Sequence, residues 1–376
     1  MQSLHRMSQN LFGITCRFLV VFYAASVGLA LSAAASAGAE PETFGAAQDA
    51  LGPIGGGKGY RRILTTGDYV VKTEDELVDA LAKVKPGQVV YVDDSAELDL
   101  TVRVRAQGFV LEMPGGITLA SGRGHKGSNG ALIYSDEFAT SPLLKVLGEK
   151  ARITGLRIRG PDTKMRWEEL PRLLSIGGHE LYYKFPTSAG IQCQFPGLEV
   201  DNCEVSGWSA AGVQLSAGST TGHVHHNYIH HCQRRGLGYG VALDQAEGLI
   251  ESNIFDYCRH SVAATGAPGT AYEARNNVVE EHGILSSFDM HGGGDRGDGT
   301  NIAGDWIRVH HNTCKGKWKE VNCVPAVGIR GKPVKGGEIH HNWFCNPDPA
   351  KALFKDPSRK VRVYRNQYGP ERRVKD

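Results

Sequence analysis

The chain has 376 residues, with 42 basic and 40 acidic side chains and a formal net charge of +2. This balance argues against a basic nucleic-acid-binding face or an acidic tail. Glycine, at 48 residues, is about twice its usual share, which suits many tight turns between short strands better than long helices.

The first 37 residues read as a signal peptide. Arg6 and Arg17 flank an apolar run from Phe18 to Ala35, and Met7 is an alternative start that shortens the charged region. Ala35-Ser36-Ala37 then places small residues where signal peptidase needs them, ahead of Gly38-Ala39-Glu40. An uncleaved membrane anchor is the alternative, since the run is about long enough to span a bilayer. No later segment is, so the sequence predicts a secreted or periplasmic chain with no membrane attachment after cleavage. Eight cysteines are present, one of them Cys16 in the leader, so an odd seven remain. No CxxC pair occurs, which removes the usual zinc-binding spacings.

Residues 38–60 are rich in Gly, Ala and Pro and read as a linker, leaving 61–376 as one domain. Thr73-Glu74-Asp75-Glu76 is a capping box. Leu77, Val78, Leu81 and Val84 then share a helical face up to the stop signal Lys85-Pro86-Gly87. One short amphipathic helix is predicted there, followed by a first strand at Val89-Val90-Tyr91-Val92 and then β pattern almost to the end.

The organising signal is an internal repeat. Asn227, Asn253, Asn277, Asn312, Asn342 and Asn366 each follow an apolar residue three positions earlier, and Cys203 holds the same slot one coil before. Successive slots are about 25 residues apart, except where loops are inserted at 278–309 and 313–339. A period of this size made of short strands is one coil of a solenoid, and coils must stack because none can bury its apolar face alone. A buried Asn at a fixed turn can bond the backbone of neighbouring coils, so the slots predict a ladder. The His-His pairs preceding three of the slots read as part of that folding device rather than as metal sites, because adjacent residues on a strand face opposite ways.

The ladder, the coil length and the early capping helix resemble the pectate-lyase-like superfamily of right-handed parallel β-helix proteins, from about residue 70 to 369. The resemblance implies an all-β, single-stranded right-handed parallel β-helix with a short N-terminal capping helix. It implies a carbohydrate-active protein from a group that includes polysaccharide lyases, glycoside hydrolases and uronan epimerases. No subfamily motif is present, so no catalytic residue carries over.

Candidate site residues come instead from register. The strands around Val213, Val241, Val262, Phe288 and Ile329 align with these residues inward, which puts two rows outward. One row reads Gln192, Gln214, Ala242, Ala263, Asp289 and Arg330. The other reads Gln194, Ser216, Asp244, Thr265, His291 and Lys332. Small residues make a floor, and polar ones rise beside it. The preceding turns add Arg234, Arg235, Tyr239, Arg259, His260 and His282, and the glycine-rich loop at 291–305 forms a wall. Asp289, His291, His260, Arg259 and Arg330 are the catalytic candidates. Gln192, Gln214, Tyr239, Asp244, Arg235 and Lys332 are the substrate-binding candidates. Asp289, Asp295 and Asp298 are a candidate calcium set.

β-Elimination on a uronic acid needs a carboxylate neutraliser, a base and an acid, which Arg, His and Tyr can supply. Hydrolysis needs two carboxylates about 5–10 Å apart; Asp244 and Asp289 fall about 12 Å apart by strand geometry, with Asp295 or Asp298 as the alternative closer partner. An acidic polysaccharide substrate cleaved by elimination, or epimerised at C5, is therefore expected ahead of hydrolysis. A non-catalytic carbohydrate-binding β-helix is the alternative from another class. Cys232 and Cys258, stacked one coil apart, are either a disulfide or an unbonded pair. Glu273 and Arg275, flanking inward Ala274, read as a surface ion pair.

Overall fold

The structure, a computed structural model, describes residues 43–165, 168–318, 322–355 and 358–370. The predicted signal peptide lies outside these residues.

Three long parallel sheets run the length of the domain, with eleven, nine and ten strands. Each coil contributes one short strand to each sheet. In the eleven-stranded sheet, Val90, Leu119, Ile153, Val200, Val224, Ile250, Ala274, Val309, Ile339 and Val363 follow one another in register up the stack. Ile133, Ile158, Val205, Ile229, Phe255, Val279, Cys314 and Phe344 do the same in the ten-stranded sheet. These rungs merge into one continuous core. Each buried aliphatic rung contributes about 1.5–3 kcal/mol relative to exposure.

The corner between these two sheets explains the repeat. The residue before each slot sits in the left-handed region: Asn202, His226, Ser252, Asn276, His311, His341 and Arg365. One such residue swings the chain from the first sheet into the second. Asn and His accept that conformation better than most side chains, and β-branched residues do not. The following Asn then points into the core. Asn253 Oδ1 accepts the Asn227 backbone N–H at 3.0 Å, and its Nδ2 donates to the Val224 carbonyl at 2.9 Å and to Asn277 Oδ1 at 3.0 Å. The same pattern repeats to Asn366, and Cys203 closes the lower end by donating its N–H to Asn227 Oδ1 at 2.8 Å.

The predicted capping helix is Glu74–Lys83, with the Thr73–Glu76 box formed and Leu77, Ala80 and Leu81 buried. Besides the single turns Gly293–Arg296 and Pro349–Ala352, two longer helices depart from the sequence reading, which has only β pattern after residue 92. Thr101–Gln107 adds to the cap, and Glu169–Lys184, bent at Gly178 (φ 67°), is an inserted lobe. Among the described residues one antiparallel strand pair occurs, Lys317–Trp318 with Asn322–Cys323, besides an isolated antiparallel bridge between Asp49 and Gly52. The strand pair lies in an inserted loop and leaves the coil pairing parallel.

Residues 43–62, read from sequence as mostly linker, lie along the corner as a strap. Gly45 N–H donates to the His341 carbonyl, Gly55 N–H to the Ser252 carbonyl and Gly57 N–H to Asn202 Oδ1. Glycine is required where the strap touches the coils: a Cβ on Gly56 would sit 2.4 Å from the His226 carbonyl oxygen. Cys232 and Cys258 are buried and unbonded, as are Cys193, Cys203, Cys314 and Cys345. Glu273 and Arg275 form the expected ion pair at 3.2 Å, within a network that includes Glu251.

Candidate active site in the lateral groove

The nine-stranded sheet carries the outward rows. Gln192, Gln214, Ala242, Ala263 and Asp289 are in register as the sequence predicts. Above Asp289 the alignment must be corrected. Asp289 pairs with Gly328 and Met290 with Ile329, so Arg330 follows His291 in the second row and Lys332 lies beyond the strand. The sequence alignment was out by two residues. A two-residue slip preserves the inward–outward alternation, so pattern alone cannot detect it. Gly328 has a steric reason: a Cβ there would lie 2.7 Å from Asp289 Oδ1 and 2.4 Å from the Phe354 ring.

Strict alternation also breaks at the start of these strands. A Cβ on Gly240 would meet the Phe255 ring at 2.9 Å, and neighbouring Val241 is in the core, so two consecutive positions face inward. That places Tyr239 and His260 on the groove side, with their rings stacked at 5.8 Å. Tyr239, Ala242, Ala263, Gln214, Asp244, Thr265 and His291 line a pocket of about 220 Å³. This is smaller than the roughly 300–1,000 Å³ usual for small-molecule sites.

Asp289 forms the back wall and is fully buried. Its Oδ1 accepts from Ser286 Oγ at 3.1 Å and from Arg330 Nη2 at 3.2 Å. Its Oδ2 lies 2.9 Å from His291 Nε2. The last two atoms are in electrostatic contact but off the line of a hydrogen bond, and each is otherwise without a hydrogen-bond partner. Burial opposes the charge of Asp289, but contact with His291 and the positive potential of His260, His291 and Arg330 overcome it and pull the carboxyl down to about 2. An ionised carboxylate behind an imidazole orients the ring and stabilises its protonated form. His291 is about one-fifth exposed and faces the pocket.

His260 is fully buried behind this pair. Its Nδ1–H donates to the Ser286 carbonyl, which fixes the tautomer and leaves Nε2 as an unpartnered lone pair. Burial lowers its pKa to about 3, with Asp289 pulling the other way. In the unfolded chain an imidazole titrates near 6.5. The unfolded state therefore binds more protons between these values, and stability rises with pH across that window. Glu251, whose carboxyl is brought to about 2 by His223 and Arg275 against the effect of burial, adds a loss in the same direction at the acid end. The melting temperature is expected to fall steadily from pH 7 to pH 4, and His260→Gln, if folded, to flatten the upper part of that slope. A pH-independent melting temperature in thermal scans would contradict this.

The remaining sequence candidates divide. Arg259 stays beside the site: its guanidinium lies 5.9 Å from the Tyr239 ring centre and donates to the Leu237 carbonyl at 3.2 Å. Asp244 Oδ1 accepts from Thr265 Oγ1 at 2.7 Å on the pocket rim. Gln192 sits one coil below Gln214, in the groove but outside the pocket. Lys332 is exposed, and the Arg235 carbonyl is taken by the Tyr182 hydroxyl.

The candidate calcium set does not gather. The Arg330 guanidinium stands between Asp289 and Asp295, with its Nη1 3.2 Å from Asp295 Oδ1. Asp295 Oδ2 accepts the Gly292 N–H, while Asp298 binds Arg296 and Thr300. Calcium needs six to eight converging oxygens, and these residues do not fit it. The cluster that does converge is His260, Asp289 and His291, one ligand atom from each within 4.8 Å of the others.

Sequence reasoning missed the inserted helix Glu169–Lys184 as a groove wall. Arg234 reaches across to it, donating to the Pro186 carbonyl at 2.7 Å and the Tyr182 carbonyl at 3.0 Å, and it lies over the Tyr182 ring. Ser286, which supports His260 through its backbone carbonyl and Asp289 through its hydroxyl, was also missed, because the carbonyl contact leaves no sequence signal and the residue precedes the aligned strand.

No protein-family model matches the chain, and no curated protein matches it in sequence. Among solved structures it is similar to an alginate lyase from Paenibacillus sp. str. FPU-7. The TM-score is 0.57 at 17% identity, covering 80% of this chain and 95% of that one. The chain is a right-handed parallel β-helix. A tailspike protein, Dettilon, superposes with a TM-score of 0.45 at 12% identity, over 72% of this chain and 46% of that one.

Proposed function

We propose that the protein is an exported, secreted or periplasmic, polysaccharide lyase that cleaves an acidic polysaccharide by β-elimination. The observation that carries this reading is the composition of the pocket. One imidazole backed by a buried carboxylate and one phenol line it together with an alanine floor, and Asp244 is the single carboxylate lining it. Asp289, which a hydrolytic pair would need, is fully buried with Oδ1 bonded and Oδ2 against His291.

In the proposed reaction, His291 removes the proton at C5 of a uronate. The released electron pair forms the C4–C5 double bond as the C4–O4 bond breaks, and Tyr239 gives its proton to the departing oxygen. Burial raises the Tyr239 pKa, although Arg259 opposes the rise, so the phenol is protonated when the reaction begins. The Gln214 amide can donate to the substrate carboxylate, while Arg259 and Arg330 set a positive potential behind it. Return of a proton to C5 from the opposite face, without loss of O4, would make the same apparatus a C5 epimerase. The structural neighbour is an alginate lyase, which supports a uronate substrate.

Incubating the purified protein with a panel of acidic and neutral polysaccharides tests this directly. Absorbance from an unsaturated product on an acidic polymer is expected. Tyr239→Phe is expected to lower that rate about 100- to 10,000-fold without changing the fold. New reducing ends without absorbance would indicate hydrolysis, and binding without either would indicate a carbohydrate-binding module.

A further inference from the structure

The His-His pairs do not behave as the strand rule predicts. The second member of each pair occupies the left-handed corner, so its ring turns back toward the first. His310 and His311 bring their Nδ1 atoms to 2.9 Å, and His340 and His341 bring theirs to 2.8 Å. These pairs lie on consecutive coils. The His310 and His340 rings stack at 4.8 Å with planes 7° apart, and the His311 and His341 rings at 4.9 Å and 6°. Four half-buried imidazoles therefore form a two-by-two array at the corner between the eleven- and ten-stranded sheets, on a different part of the coil from the groove.

We infer that His310, His311 and His340, flanked by His341, bind a divalent transition-metal ion such as zinc or nickel. One ring nitrogen from each of the three lies within 4.8 Å of the others. Two nitrogens about 2.0–2.1 Å from one ion are separated by about 2.9 Å at a right angle and about 3.4 Å at the tetrahedral angle. The paired Nδ1 atoms already have that spacing, and rotation of the partly exposed rings closes the rest. An all-imidazole donor set suits zinc, nickel and copper and does not suit calcium or magnesium. His310 Nε2 lies 3.2 Å from Glu273 Oε1. A carboxylate on the far nitrogen is the arrangement that fixes a metal-binding histidine with its other lone pair free.

An isolated pair is explained by an N–H···N hydrogen bond, and the chain contains such pairs. His225 and His226 are fully buried, and their outer nitrogens are held by Glu199 and Asp49. Glu199, which could join His223 and His225 as a ligand, is engaged by Arg62 and Arg152. Only at 310–311 and 340–341, among the described residues, do two His-His pairs stack on consecutive coils and remain accessible.

The test uses tag-free, chelator-treated full-length protein titrated calorimetrically with zinc chloride and, separately, nickel chloride. One saturable equivalent is expected. His311→Asn, which keeps a residue suited to the left-handed corner, and His340→Gln should each weaken binding at least about 10-fold, and Glu273→Gln about 10- to 100-fold. Metal-free melting temperatures identify any variant that fails to fold, and the three substitutions stand independently. His291→Ala, which strips the groove cluster, should retain the equivalent. The inference fails if the parent shows no saturable heat. It also fails if the folded His311→Asn and His340→Gln variants bind like the parent, or if the equivalent disappears with His291→Ala instead.

Discussion

Asn253→Leu is expected to lower the unfolding free energy by more than about 3 kcal/mol. The side chain is fully buried and joins three coils. Leucine leaves the Val224 carbonyl and the Asn227 backbone N–H without their partners, and it also removes the acceptor for Asn227 Nδ2 and the donor to Asn277 Oδ1. Each buried group left unsatisfied costs about 1–3 kcal/mol, and the two backbone groups cannot turn to find water. The branched side chain must also fit a corner shaped for a planar amide, which adds strain. Asn366→Leu makes the internal comparison. That residue ends the ladder and is only half-buried, so solvent can meet part of what it leaves unpaired, and the loss should be smaller. Chemical denaturation of the two variants measures both values. If Asn253→Leu unfolds within about 1 kcal/mol of the parent, apolar stacking and not the amide ladder holds the coils together.

The ladder was legible because its chemistry repeats at a fixed interval, and a single misread slot would have broken the series. The groove floor was legible for the same reason: Gln192 to Asp289 are related by parallel register, and each strand has an apolar residue to anchor the alignment. Three features were not legible, each for its own cause. The last aligned coil slipped by two residues, because Val327 and Ile329 are equally good inward anchors and the deciding contact is the space that Gly328 leaves for Asp289. The groove-facing positions of His260 and Tyr239 depend on a break in alternation at small residues such as Gly240, whose sequence signal is only the absence of a side chain. The helix Glu169–Lys184 carries a proline in its first turn and buries Leu173 and Tyr182, but Gly177-Gly178 in its interior weakens the periodic signal. The facing His-His rings follow the same rule: strand logic fails at a corner residue with positive φ.

His291→Ala is expected to reduce turnover about 100- to 10,000-fold on whichever polymer yields unsaturated product, with a melting temperature within about 3 °C of the parent. The imidazole is partly exposed at the end of its strand, and no backbone pairing depends on it. Asp289 keeps Ser286 and Arg330 when the ring is removed, so the buried carboxylate is not stranded. Asp289→Asn separates orientation from charge. It preserves volume, removes the anion behind the ring, and should also lower turnover. The control must be a histidine outside the groove whose loss is tolerated. His225 is unsuitable, since it is fully buried between His226 and Glu199 and its removal should destabilise the corner. His282, half-exposed and bonded to Asp256, meets the requirement, and His282→Ala should leave turnover unchanged. Equal turnover for His291→Ala and the parent would place the chemistry elsewhere on the coil. Loss of folding in His291→Ala would make the His291–Asp289 contact a structural tie, and Tyr239→Phe would then decide whether the groove performs any chemistry.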